Sequence, residues 1–476
     1  MNSDKINIKE KVAYGFGDAA SSMFWKIFSM YLLFFYTDVF GLAAAAVGTM
    51  FLVTKVWDSF FDPFVGIYSD RIDTKWGKFR PFLLWVAVPF AIIGVLTFYN
   101  PNFAHDGKLI YAYITYSLMM MVYSLINVPY ASLLGVMSSD GKERTTLASY
   151  RMVFAFAGSL VALWLIEPLV KYFGDGTLTS SQGWLFTIMV FGTITTLLFW
   201  GCFAWTKERI KPIKQDQSTL KEDLNDLWKN RPWWILLGAG VATLLFNTIR
   251  DGGAIYYFKY YLEKTDQESF SLFGMGTGMS YLTVYLVLGQ AANIVGVVLA
   301  TPLANKFGKK KTFFGAMFLA VILSIIFYFL TKNNILMILG LQFFISICAG
   351  CIFPLLWSMY ADTADYSEWK QGRRATGLVF SASSMSQKLG WALGGATTGW
   401  LLAYFGFQAN VVQTENAQTG IRLMLSILPA IGAAISILFI FTYPLTEEKL
   451  AVITRELAQR REIDQNKQQS DNNSKY

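Results

Sequence analysis

Asp58 and Asp62 stand four residues apart in VWDSFFDPFVGIYSDRIDTKWGKFRPF (56–82), inside an apolar stretch long enough to cross a bilayer. That spacing puts both carboxylates on one helix face, about one turn apart. Pro63 follows at once; it removes a backbone hydrogen bond and frees the carbonyl of Ser59. Ionised groups in hydrocarbon cost from about 2.5 to more than 10 kcal/mol each, so they face a water-filled cavity, a partner or a bound ion. Two on one face suggest a cation site. The competing possibility is a structural ion pair, with Lys55 one turn before Asp58 as the partner.

Further polar side chains interrupt other apolar stretches. GFGDAASSMFWK carries Asp18, Ser22 and Lys26 at four-residue intervals, with Gly15 and Gly17 allowing a helix or ligand to approach closely. YSLINVPYAS carries Tyr123, Ser124 and Asn127 just before Pro129, and Arg151 follows in the next stretch. TIRDGGAIYYFKYY holds adjacent Arg250 and Asp251, and SQKLGWALGG holds Lys388. Tyrosine, tryptophan, asparagine and arginine together suit a sugar: aromatic faces stack on the apolar face of a pyranose, and polar groups take its hydroxyls. Any large polar cavity would use the same palette.

The segments that must position these residues follow from composition. Of 476 residues, 54% are hydrophobic and 15% charged, with a mean hydropathy of +0.39. A soluble chain carries about 25% charged residues. The aromatic share of 17% suits interfacial belts. The net charge of +8 lies in short loops and one linker, which argues against nucleic-acid binding. Cys202, Cys348 and Cys351 lie in apolar segments and suggest neither a disulfide framework nor a zinc site; His105 sits in a polar loop. The polar start, MNSDKINIKEKV, gives no expectation of a cleavable leader.

At about 20 apolar residues per crossing, twelve spans are expected, near 13–36, 45–68, 79–99, 109–134, 148–172, 184–205, 233–262, 282–304, 312–330, 335–360, 376–404 and 421–443. Basic residues fill alternate loops (71–80, 142–144, 207–231, 306–311, 370–374), which the positive-inside rule assigns to the cytoplasm together with both termini. The longest internal loop divides the chain into a six-span half (1–205), a central loop (206–231), a second half (232–445) and a polar tail (446–476). The halves echo one another. WGKFRPF after the second span matches FGKKKTFF after the eighth, and SSDGKERTTLASYR after the fourth matches ADYSEWKQGRRATG after the tenth. Such a parallel repeat predicts an all-α membrane protein of the major facilitator fold.

YGFGD, YLLFFYTDVFGL, VWDSFFDP, WGKFRPF, the DGKER loop, DTADYSEWKQGRRATG and KLGWALGG are specific as a set. By them the chain resembles the glycoside–pentoside–hexuronide:cation symporters, the melibiose-permease family of the major facilitator superfamily. The resemblance spans nearly the whole length. It implies sugar uptake by alternating access, driven by sodium, lithium or protons. It also implies that Asp58 and Asp62 form the cation site with Ser124. The asparagine of melibiose permease before the second carboxylate is Phe61 here, which cannot coordinate an ion. The two aspartates that grip galactosyl hydroxyls in that protein fall at Ser22 and Asn127, and its stacking tryptophan falls at Ala131. Its second pocket tryptophan falls at Phe353, and its lysine matches Lys388. Galactoside specificity is therefore not expected.

The expected arrangement is a mid-membrane sugar site of Asp18, Ser22, Tyr123, Asn127, Arg151, Phe353 and Lys388. Beside it lies a monovalent cation site of Asp58, Asp62, Ser124 and the Ser59 carbonyl. Because Phe61 removes a ligand, a proton is the expected coupling ion rather than sodium. Arg151 and Lys388 would leave room for an acidic sugar. Asp70, Arg71, Asp140, Arg144, Asp362, Asp365 and Arg374 are expected to latch the inner gate. No cofactor is expected beyond the coupling cation, and a monomer in the bacterial cytoplasmic membrane is expected. Two other functions are open to such a chain. Animal relatives move lysolipids, which an apolar groove open to the bilayer would favour. An intramembrane hydrolase would need opposed carboxylates, and Asp58 and Asp62 share one face.

Overall fold

The computed structural model describes residues 6–72, 74–138, 141–209, 227–264, 269–272, 275–371, 376–457 and 459–460. The chain runs α1 (Ile8–Phe34), α2 (Ala44–Arg71), α3 (Arg80–Trp85), α4 (Ala87–Thr97), α5 (His105–Met137), α6 (Gly141–Phe173) and α7 (Ser181–Trp205). It continues through α8 (Arg231–Tyr256), α9 (Tyr281–Phe307), α10 (Lys309–Tyr328), α11 (Ile335–Gln371), α12 (Thr376–Tyr404), α13 (Glu415–Leu425) and α14 (Ile427–Phe441). Asn7, Ser180, Asn230, Ser280 and Thr414 each accept a backbone N–H and start their helices. Gly308, at φ 86°, makes the sharp turn between α9 and α10 that a side chain would strain. A short hairpin, β1 (Ser269–Leu272) and β2 (Met275–Ser280), is the only sheet among the described residues.

Eight helical stretches are long and apolar enough to cross a membrane: α5 to α11, and α13 with α14 taken together. The four remaining passages, α1, α2, α3 with α4, and α12, bring the arrangement into accord with twelve crossings. They fall short on local grounds. α3 and α4 are divided at Val86, while α1, α2 and α12 carry Asp18, Lys26, Lys55, Asp58, Asp62 and Lys388. Charge also enters on spans that hydropathy marks clearly, since α6 carries Arg151 and Glu167 and α8 carries Arg250 and Asp251.

α1 packs on α6 and α7, and α9 packs on α11; between the first six passages and the last six, α2 meets α12, α1 meets α8, and α6 meets α9. Contact between the two groups is closest on the face away from the termini. There Gly48 lets α2 reach α12: an added Cβ would stand 2.7 Å from the Ala396 carbonyl oxygen. Near the other end of α2, an added Cβ on Gly66 would meet nothing within 4 Å. Outward-facing Val153, Leu197, Phe329 and Phe441 are largely exposed, as a lipid-facing surface requires.

Candidate functional site

Asp58, on α2, is almost fully enclosed and accepts from Ser124 Oγ of α5 at 2.8 Å. Lys388, reaching across from α12, lies 3.2 Å from Asp58 Oδ2 and also binds Asp62. Lys55 approaches Asp58 at 3.9 Å, lies 2.9 Å from Met120 Sδ and sits 4.4 Å over the Trp25 ring. Two carboxylates thus meet two ammonium groups, and the cluster is formally neutral. An ion pair taken out of water persists only when geometry is good and spare lone pairs find partners. One does not: Asp62 Oδ1 is buried without a hydrogen bond. Ser59 turns its hydroxyl back to the Lys55 carbonyl at 2.9 Å.

The second ion pair lies one helix over. Arg151 of α6 grips Asp18 of α1 with Nε and, at 3.3 Å, with Nη2. The Tyr130 hydroxyl lies 2.6 Å from the Tyr14 carbonyl and 3.2 Å from Asp18, and its ring lies 4.8 Å under the guanidinium. Asn127 uses both ends of its amide to tie α5 to itself and to α1. It accepts from Ser21 at 2.9 Å and donates to the Tyr123 carbonyl at 3.0 Å.

Between the two groups of helices lies a cavity of about 650 Å³. Of the residues expected from sequence to touch a sugar, Asp18, Ser22 and Phe353 line it. Tyr123, Asn127 and Arg151 stand behind that wall, and Lys388 belongs to the carboxylate cluster. Sequence patterning did not single out Trp25, Trp357 and Trp391 in the wall, nor Asn247 and Gln290. The signal for the aromatic group was present in the tryptophans at mid-span, but spacing alone did not show which way they turn. Trp25 meets Trp391 across the groups at 4.9 Å, and Lys26 meets Asp251 at 3.5 Å.

On the face away from the termini the cavity is sealed. The buried carboxylate of Asp38 takes Lys259 Nζ at 2.7 Å, Tyr260 and, at 2.8 Å, Thr37 Oγ1. Thr37 pairs with Tyr256 at 2.9 Å, and Asn410 donates to the Asp38 carbonyl at 2.7 Å. Beside them Glu167 of α6 accepts from Ser280 and Thr283 at the start of α9. Of the gate residues expected from sequence, those described lie at the other face. Asp362 pairs with Lys309 within the second group at 2.7 Å, Arg71 is exposed, and Asp365 is half-buried on α11. Asp140, Arg374 and the side chains of Asp70 and Arg144 lie outside the described residues.

Comparison with known proteins decides what these features belong to. Residues 13–447 match the family described as MFS/sugar transport protein. The chain belongs to that family. Family members are membrane transporters, not enzymes. The inner membrane symporter YicJ of Escherichia coli K12 is 35% identical over 462 residues, 96% of each chain. An isoprimeverose transporter of Lactiplantibacillus pentosus is 34% identical over 473 residues, covering 96% of this chain and 94% of its own. Among solved structures, a D-xylose–proton symporter superposes with a TM-score of 0.62 at 13% identity, over 92% of this chain and 98% of that one; it supports the fold alone.

Proposed function

We propose that this chain is a proton-coupled symporter of a glycoside, working by alternating access in the bacterial cytoplasmic membrane with both termini cytoplasmic. The observation that carries this is the placing of Lys388, from the second group of helices, on Asp58 and Asp62 of the first, next to a cavity walled by tryptophans. The relatives support the cargo, since one is named for isoprimeverose and another as an inner membrane symporter. Arg151 and Lys388 each have a carboxylate on them, which favours a neutral sugar over an acidic one.

Proton coupling fits the cluster better than sodium coupling. Sodium needs several oxygen ligands and would have to displace an ammonium group. Two carboxylates and the Ser124 hydroxyl are the oxygens at hand, with Phe61 beside them. A proton needs no coordination shell. Protonating Asp62 ends its attraction for Lys388 and so weakens the link between α2 and α12. A ligand that binds one state better shifts the balance only by its differential affinity, so sugar and proton assist each other through the state both prefer. The arrangement described here, sealed away from the termini, is the one from which cargo would leave on the cytoplasmic side.

The test is sugar-evoked alkalinisation of the medium by energy-depleted cells given isoprimeverose. Asp62→Asn should abolish it and abolish accumulation, while sugar exchange persists. Absence of the signal in the unaltered protein, with uptake that depends on added sodium at fixed pH, would overturn proton coupling.

A further inference from the structure

The cavity has a second polar wall, built on α9 and α11. These helices touch backbone to backbone. A Cβ added at Gly350 would lie 2.9 Å from Asn293 Cα, and one added at Gly296 would lie 3.0 Å from the Cys351 nitrogen. Cys351 Sγ also reaches the Gly296 carbonyl at 3.0 Å. Helices held this closely fix the side chains that flank the contact. Gln290, Asn293, Gln342 and Ser346 do so, and all four line the cavity. Gln290, Gln342 and Ser346 are each less than a tenth exposed, at 7%, 8% and 6%.

Their hydrogen bonding is incomplete. Asn293 Oδ1 is buried without a partner. The side chains of Gln290 and Ser346 make no hydrogen bond to the described residues. Gln342 Oε1 accepts from Arg250 Nη2 at 2.7 Å. A guanidinium only donates, so the amide oxygen must face it and Nε2 must face away. That nitrogen points at Gly289, where an added Cβ would stand 2.6 Å from it. Arg250 itself is spent on the Leu425 carbonyl, the Tyr285 hydroxyl and Gln342, so it positions the amide.

An unpartnered buried oxygen such as Asn293 Oδ1 is costly, and beside three cavity-lining side chains with donors and acceptors to spare it calls for a ligand that completes them. Amides and a hydroxyl both donate and accept while carrying no charge. Sugar hydroxyls match them; a carboxylate only accepts, and an aromatic aglycone does neither. We infer that the α9–α11 wall is a subsite for a second, neutral sugar ring. The cargo is then a disaccharide or longer glycoside, with one ring beside Asp18, Ser22 and Trp25 and the next against Gln290, Asn293 and Gln342. This rests on the glycoside-transport proposal and specifies its substrate class.

The test uses the full-length transporter in proteoliposomes, with dissociation constants for three probes: isoprimeverose (two sugar rings), methyl xyloside (one) and 4-nitrophenyl xyloside (a second ring without hydroxyls). The unaltered protein should prefer isoprimeverose to the nitrophenyl glycoside by about tenfold or more, because a site built for hydroxyls rejects a ligand lacking them. Asn293→Leu should weaken isoprimeverose about tenfold and leave methyl xyloside within about twofold. Gly289→Ala, which crowds Gln342 Nε2, should act in the same direction. Retained methyl xyloside binding shows that each variant is folded. The inference is overturned if both glycosides weaken equally, if isoprimeverose is unaffected, or if the nitrophenyl glycoside binds best in the unaltered protein. Binding of one-ring glycosides and no disaccharide overturns the subsite and leaves the transport proposal standing. Binding of no sugar at all overturns both.

Discussion

Asp38→Ala should open the sealed face. The Asp38 side chain is wholly enclosed, whereas that of Lys259 is about a quarter exposed. Removing one member of a fully buried pair costs about 3–5 kcal/mol. Lys259 keeps access to water and an Asn410 Oδ1 at 2.9 Å, so the cost falls to the bottom of that range or just below it, about 2–3 kcal/mol. At about 1.4 kcal/mol per tenfold, the balance between sealed and open states should shift about 30- to 150-fold towards opening. Reversing a population from one part in a hundred to ninety-nine takes about 5.5 kcal/mol, so opening becomes a substantial fraction without becoming complete. Spin labels on Tyr172, 81% exposed at the end of α6, and Val412, 95% exposed between α12 and α13, straddle this face. Cys202, Cys348 and Cys351 are buried and should not compete for label. Pulsed electron–electron resonance should show a longer-distance population in Asp38→Ala. Lys259→Met leaves the wholly enclosed Asp38 carboxylate without its cation and should shift the balance further than Asp38→Ala, and adding Asp38→Ala to it should bring the shift back towards that of the single alanine variant. An unchanged distance distribution in folded Asp38→Ala would refute the assignment of Asp38 as the latch.

Two further expectations follow from packing. Gly48→Val puts its Cβ 2.7 Å from the Ala396 carbonyl oxygen and 3.3 Å from Gly399 Cα, so α2 and α12 must part; uptake should fall about tenfold or more. Gly66→Ala on the same helix meets nothing within 4 Å and should keep uptake within about twofold. Arg151→Gln leaves the Asp18 carboxylate without a cation and should lower stability by up to about 3 kcal/mol, read as a drop in melting temperature. Adding Asp18→Asn should restore part of that loss, because the uncompensated charge is then gone.

Much of the site was legible in the chain. The four-residue interval puts Asp58 and Asp62 on one helix face, and the same interval puts Asp18 and Ser22 on one face of α1, where both line the cavity. These are local facts: the period of a helix acts over one or two turns, and the charge content of a stretch is what breaks its hydropathy. The matched loops of the two halves were legible for the same reason.

Tertiary structure alone decided the partners. Lys388 lies 330 residues from Asp58, and Arg151 lies 133 from Asp18. Both cations look free in sequence, and both prove to sit on carboxylates. The closed face was equally hidden, because Asp38, Lys259 and Asn410 come from three distant segments. Asn127 shows the physical reason most directly: its amide is spent on Ser21 and on the Tyr123 carbonyl rather than turned to the cavity. In a helix apolar on nearly every side, the pattern does not say which face turns inward. Rotation about the helix axis is set by close packing at glycines such as Gly48, Gly296 and Gly350, and that packing exists only once the helices have assembled.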